Sequence, residues 1–298
     1  MNKISLAGFA SAAFALVICV LAGCSSTGKI DVSKLGPPIS AVDLAERHND
    51  RVSRIDTLWA RVSVRANGVD AAGNSYEEQG EGRLQIQKPS NVSISIGKLG
   101  ETYFVFGANE EEYWAFNLAD NDRKIAQIGS IELATPAKAA ALGLPIHPAE
   151  LIALCGLMPI DLARASGTRW ADDGKSVGIS IPAHWGSVML WFDARTMLVI
   201  RSQAFDAENQ LIADAQLSRY KEAIVTDQST QMVPGKIELT SPRDQGWVRI
   251  EISEPRSKAI NRRVYQPAKL TRLYRVHETF DLDADGSDAG SDIENGGE

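Results

Sequence analysis

Among residues whose types could do chemistry, His48, His147, His184 and His277 come first. Each lies in a different segment, and none stands two to five residues from another histidine or a cysteine, so the spacing supports no metal site. His147, between Ile146 and Pro148, reads as a solvent-facing loop histidine at a helix start. No Gly-x-Ser-x-Gly elbow is present, so a Ser/His/Asp hydrolase would need an unmarked triad. Cys155 follows the apolar helical stretch Pro148-Ala149-Glu150-Leu151-Ile152-Ala153-Leu154, the setting of an inert core thiol rather than a nucleophile. Two further segments imitate ligand loops. Gly23 to Lys29 (GCSSTGK) has Ile30 where a phosphate-binding loop needs Ser or Thr, and no strand precedes it. Asp281-Leu282-Asp283-Ala284-Asp285-Gly286 opens like a calcium loop, but Asp288 fills its apolar position and Asp292 stands where a bidentate Glu belongs. The residues therefore predict no catalytic site, no metal and no cofactor, and a protein that is not an enzyme.

Charge narrows the partners. The 298-residue chain has a net charge of −7, with eight acids and no base from Glu278 to Glu298. Residues 24–277 carry equal numbers of each sign, so nothing in the bulk steers the body toward nucleic acid or an anionic surface. At the other end, Lys3, the apolar run Leu6 to Leu21, and Leu21-Ala22-Gly23-Cys24 read as an export signal too short to span ~30 Å of hydrocarbon. The tetrapeptide resembles the lipobox of bacterial lipoproteins. That resemblance implies cleavage before Cys24 and its lipidation, with membrane lipid as the first partner. Ser25 in place of aspartate favours the outer membrane, with the protein facing the periplasm.

The elements that would position any site follow from periodicity. Residues 1–23 are the signal, 24–40 a polar tether punctuated by Gly and Pro, 41–277 one folded domain, and 278–298 a solvated acidic tail. Ala41 to Ile55 suits a helix capped by Ser40 or Asp43. Two-residue alternation then predicts strands through Leu58 to Val64, Leu84 and Ile86, and Val92, Ile94 and Ile96. Phe104, Phe106, Trp114 and Phe116 lie in strands with little polar face, which should be buried or involved with a ligand. Ile131 to Ala163 is divided by four prolines into short helices, and about six more strands follow to Ser253. About eleven antiparallel strands with one apolar face must curl over something, and the helices are the filling.

Gly80-Glu81-Gly82-Arg83-Leu84-Gln85-Ile86-Gln87-Lys88-Pro89 and the closing meander around Val233 to Thr240 and Trp247 to Ile252 are similar to the LolA/LolB lipoprotein-carrier superfamily. The resemblance implies a mainly β, α+β fold: an open half barrel with helices covering its concave face. With a lipobox it points to the anchored, LolB-like members. It implies acyl chains bound inside, with Leu84, Ile86, Ile94, Ile96, Phe104, Phe106, Trp114 and Phe116 as cavity residues. It makes Leu99 and Gly100 a membrane-insertion loop, and Lys88 a contact to the covering helix. Lysine stands where the soluble carrier has arginine, so a two-point bond is not available there. Other lipoproteins or a soluble lipoprotein carrier are the implied protein partners. An envelope lipoprotein of the same fold with a structural or assembly role, its cavity closed by side chains, is the alternative.

Overall fold

A computed structural model describes residues 31–69, 75–142, 146–226, 229–242 and 246–284. The signal segment, Cys24 with the first part of the tether, and most of the acidic tail lie outside them. Ser40 caps the first helix, its hydroxyl accepting from the Asp43 amide, and α1 runs Ala41–Ser53 with Leu44, Ala45, His48 and Val52 buried along one side. The first half of the sheet is β1 (Thr57–Val69), β2 (Ser75–Gln87), β3 (Asn91–Lys98), β4 (Glu101–Ala108), β5 (Glu112–Asn117) and β6 (Ile125–Ser130). The Pro-divided insert yields α2 (Pro136–Ala141), a 3-10 turn at Pro148–Glu150 and α3 (Leu151–Leu154). The second half is β7 (Arg169–Trp170), β8 (Ser176–Ala183), β9 (Gly186–Asp193), β10 (Val199–Asp206), β11 (Leu211–Ser218), β12 (Lys221–Thr226), β13 (Ser229–Val233), β14 (Lys236–Thr240) and β15 (Trp247–Arg256). A 3-10 turn at Arg262–Tyr265, α4 (Pro267–Tyr274) and β16 (Glu278–Asp281) close the chain.

All of these strands join one open sheet, in the order β16, β6, β5, β4, β3, β2, β1, β15, β14, β11, β10, β9, β8, β7, with the β12–β13 hairpin set beside β15. The sheet has sixteen strands, not eleven. The five additions are β6, β7, β12, β13 and β16, short segments whose side chains give no sustained alternation. They are held by backbone pairing to neighbours the sequence does not reveal. Nor is the sheet wholly antiparallel, since β16 pairs with β6 and β12 with β15 in parallel.

Two of these findings move expected boundaries. The fold does not stop at His277: β16 occupies the start of the acidic segment, Leu282 is only 3% exposed, and Asp283 accepts from the Ser130 amide and the Lys138 ammonium. An edge strand needs only backbone groups, so acidic side chains facing water do not prevent it. In addition, α4 covers the face of the sheet opposite to α1, so the helices are shared between the two faces.

Candidate functional site: a concave apolar face and a hairpin tip

The register of β1 to β4 assembles one apolar face. Leu58 and Ala60 pair with Ile86 and Leu84, these with Val92 and Ile94, and these with Ala108 and Phe106; the next row ends in the pair Ile96 and Phe104. Across β1 the same face continues through Val62 and Val64 into Ile252 and Ile250, then into Ile237 on β14. The first rows pack in one core with Leu44 and Ala45 of α1 and with Ile152, Leu154 and Leu157 of the insert. Beyond α1 the cover thins. Ile94, Ile96, Phe104, Leu239, Val248 and Ile250 are half-buried, leaving an apolar strip that continues past the helix.

Trp114 and Phe116 do not belong to this face. Phe106 pairs with Ala115 while Gly107 pairs with Trp114 and Val105 with Phe116, which puts both aromatics on the far side with Val105. There Tyr265, Leu270 and Tyr274 cover them, and the Phe116 and Tyr274 ring centroids lie 6.2 Å apart. Gly107 makes room for the indole, because a Cβ there would stand 2.5 Å from Trp114 Cζ2. β5 has apolar residues at both parities, so sequence alone does not divide them. The covering helix α4 is the element that the sequence reading omits.

The turn between β3 and β4 consists of Leu99 and Gly100, at φ +54° and +91°. Positive φ at both positions is the twist-matched geometry of a two-residue hairpin, where Asn-Gly is the favoured pair. Leucine in that region costs roughly 1–2 kcal/mol relative to an ordinary backbone. Nothing offsets this by packing, because Leu99 is 100% exposed. The tip lies two ladder positions beyond the half-buried Ile96 and Phe104 pair.

Polar groups fasten α1 over the concave face. The Lys88 ammonium donates to the Val52 carbonyl, and partial burial lowers its pKa from the usual lysine range. Asn49 bonds twice with the Ile160 backbone, donating from Nδ2 at 2.9 Å and accepting on Oδ1 at 2.7 Å. His48 Nε2 donates to the Met158 carbonyl at 2.7 Å, its Nδ1 takes a hydrogen bond from Arg51 Nη2 at 2.9 Å, and its ring meets Phe192 edge-on. Those partners assign the tautomer, and burial, then the nearby Arg51 charge, holds its pKa down to about 4.

His147 is not a solvent-facing histidine. It is 2% exposed, its Nε2 bonds the Ile131 carbonyl at 3.0 Å, and its ring stacks on His184 with centroids 4.1 Å apart. Burial and the His184 charge push it down to about 4. The proline after it starts a 3-10 turn that folds inward, a consequence of packing rather than local sequence. Cys155 caps the end of α3 as a free thiol, and burial pushes it up to about 12, which removes it as a nucleophile at neutral pH. Among the described residues, no three His, Cys, Asp or Glu side chains converge as a metal cage, and no helix is long and apolar enough to cross a membrane.

No family model matches the sequence, and no curated protein matches it. Solved structures do resemble it. A DUF1329 family protein from Desulfovibrio piger matches with a TM-score of 0.53 at 12% identity, covering 76% of this chain and 96% of that one. A LolA superfamily protein from Nitrosomonas europaea matches at 0.50 and 10%, covering 76% and 98%. A putative outer membrane lipoprotein-sorting protein domain from Vibrio parahaemolyticus matches at 0.50 and 8%, covering 78% and 97%. With this sheet order, the helix seated on the concave face and these structural relatives, the chain carries the LolA/LolB-like fold.

Proposed function

We propose that this is an envelope protein anchored through lipidated Cys24, which takes acyl chains of lipids or acylated proteins against its concave face and helps place them in the outer membrane without covalent chemistry. The observation that carries this reading is the fully exposed Leu99 at the tip of the hairpin that also carries the half-buried Ile96–Phe104 pair. A fully exposed leucine is held in a costly backbone conformation at the end of the strand pair whose Ile96 and Phe104 are only half-buried. A leucine entering the bilayer gains roughly 1.5–3 kcal/mol, enough to hold the open end of the face at a membrane surface during transfer. The outer-membrane, periplasm-facing location, and other lipoproteins or a soluble lipoprotein carrier as partners, belong to the same proposal.

The burial of Leu58, Ile86 and Val92 beneath α1 favours a second reading, an assembly partner whose interior is filled by its own side chains. Native mass spectrometry of the purified protein separates the two. Co-purified lipid supports the first, and a ligand-free protein that also fails to move fluorescent acyl lipid between liposomes supports the second.

A further inference from the structure

The folded body is neutral as a whole, but its charge is not evenly spread. From Arg256 to His277 the chain carries seven lysines and arginines and no acid. This stretch includes the last 3-10 turn and α4, which lie on the face of the sheet opposite to α1. Tyr265, Leu270 and Tyr274 pack inward. Arg262, Arg263, Lys269, Arg272 and Arg275 are exposed, and so is Leu273, at 67%. Among the described residues none of these five cations has a carboxylate within ion-pair distance, whereas Arg256 ahead of them pairs with Glu254. The acids nearest in the fold are engaged elsewhere or lie at the start of the helix. Glu254 also meets Arg61, and Glu278 meets Arg123. The loop after β5 is balanced, with Asp120 and Asp122 against Arg123 and Lys124. Glu110, Glu111 and Glu112 share a cleft with Arg262 and Lys269, which leaves Arg272 and Arg275, either side of Leu273, without negative charge facing them. The last turn of α4 also lies at the tip end of the strands. Tyr274 meets Phe116, the residue before Asn117; Asn117 pairs with Phe104, and the hairpin turns at Leu99 just beyond the Phe104 and Ile96 pair. An acidic protein segment would satisfy the arginines and leave the leucine wet, but a bilayer with anionic headgroups satisfies both.

We infer that the outer surface of α4 is a docking surface for an anionic phospholipid bilayer, with Arg272 and Arg275 on the headgroups and Leu273 entering between them. This deepens the membrane step of the proposed function and rests on it: Leu99 supplies insertion, and α4 sets how the protein lies against the bilayer. Each cation brought to an anionic membrane strengthens binding roughly five-fold, and the guanidinium fork suits a phosphate headgroup.

Vesicle flotation of the unlipidated chain from Ser25, which keeps every described residue, tests it. The vesicles are of phosphatidylcholine alone or of phosphatidylcholine with phosphatidylglycerol. The wild-type sequence is expected to bind the anionic vesicles at least about ten-fold tighter than the neutral ones, and to lose that preference in high salt. The double variant Arg272→Gln/Arg275→Gln should lose most of the preference. Arg47→Gln/Arg195→Gln, which removes the same charge from exposed positions away from α4, should keep it. Leu273→Ser should weaken binding to the anionic vesicles and leave its salt dependence. Equal binding to the two vesicles, or a preference that falls equally in both double variants, overturns the docking surface. Binding of a polyglutamate peptide by a protein that ignores both vesicles assigns the surface to an acidic polypeptide and overturns the bilayer. Transfer of fluorescent acyl lipid, read on the same variants, keeps the two proposals apart. Transfer without any anionic preference leaves the carrier role standing alone, and a preference that depends on Arg272 and Arg275 without transfer leaves the docking surface standing alone.

Discussion

The Lys88 ammonium donates to the backbone carbonyl of Val52, tying the residue before Pro89 at the end of β2 to the last turn of α1. A helix leaves its final carbonyls without intrahelical partners, and a cation at that end also meets the negative end of the helix dipole. The Val52 carbonyl already accepts from the Ile55 amide at 3.1 Å, so the ammonium fills its second lone pair and at the same time ties α1 to the end of β2.

Lys88→Met should accordingly cost roughly 1.5–3 kcal/mol, the range for a hydrogen bond to a charged group. Hydrogen exchange should quicken in residues 41–53 more than in β1 or β2. Urea denaturation with exchange read by mass spectrometry checks this; a uniform acceleration over the whole sheet would argue against a local tie.

At the hairpin tip, two substitutions should separate stability from function. Leu99→Gly relieves the left-handed penalty and is expected to raise stability by up to about 1 kcal/mol, while Leu99→Glu should stay within about 0.5 kcal/mol of wild type as a surface change. Both should lose liposome transfer. Wild-type transfer by a stable Leu99→Glu protein would end the insertion role.

The two aromatic pairs should behave differently because they lie on opposite faces. Trp114→Ala empties a site under α4 and is expected to cost about 3–5 kcal/mol without changing the affinity for oleyl alcohol. Phe104→Ala, at the half-buried edge of the concave strip, should cost less and weaken that affinity. Thermal melts and titrations of both variants read the contrast, and the reverse pattern would place the ligand on the other face.

Truncations locate the end of the fold. A chain ending at Ala284 keeps Leu282 in the core and Asp283 on Lys138, and its melting temperature should match the intact protein. A chain ending at Phe280 loses both, and should lose about 1.5–3 kcal/mol for the leucine alone. Equal melting of the two would mean that Leu282 contributes nothing.

His48 makes stability pH-dependent. Its folded-state pKa, about 4, lies below its ordinary value near 6.5, so the unfolded chain takes up a proton first as pH falls. Its contribution is fully present above about pH 6.5 and is lost as pH drops toward 4, by about 2 kcal/mol at pH 5. His147 acts in the same direction. In His48→Gln the loss between pH 7 and pH 5 should shrink by about that amount, whatever the variant's stability at pH 7; an unchanged loss would exonerate His48.

Local chemistry and two-residue alternation determined a good deal by themselves. Ser40 capping α1, the strands through Leu58, Leu84 and Ile94, and the Asp193 and Asp206 turns all depend on neighbours a few residues away. So does the exposure of Leu99, since a turn between two paired strands has nowhere to bury a side chain. Long-range pairing decided the rest. Which face Trp114 and Phe116 occupy depends on α4, about 150 residues later. β16 exists because β6 offers an unpaired edge, and His147 is buried because the insert folds back on Ile131. Arg51 reads as one more charged residue on an amphipathic helix, and only the tertiary structure brings Tyr220, about 170 residues later, into hydrogen-bond reach of it. Alternation records that a strand has two faces, but what covers each face is set by chain segments too distant for any local pattern to carry.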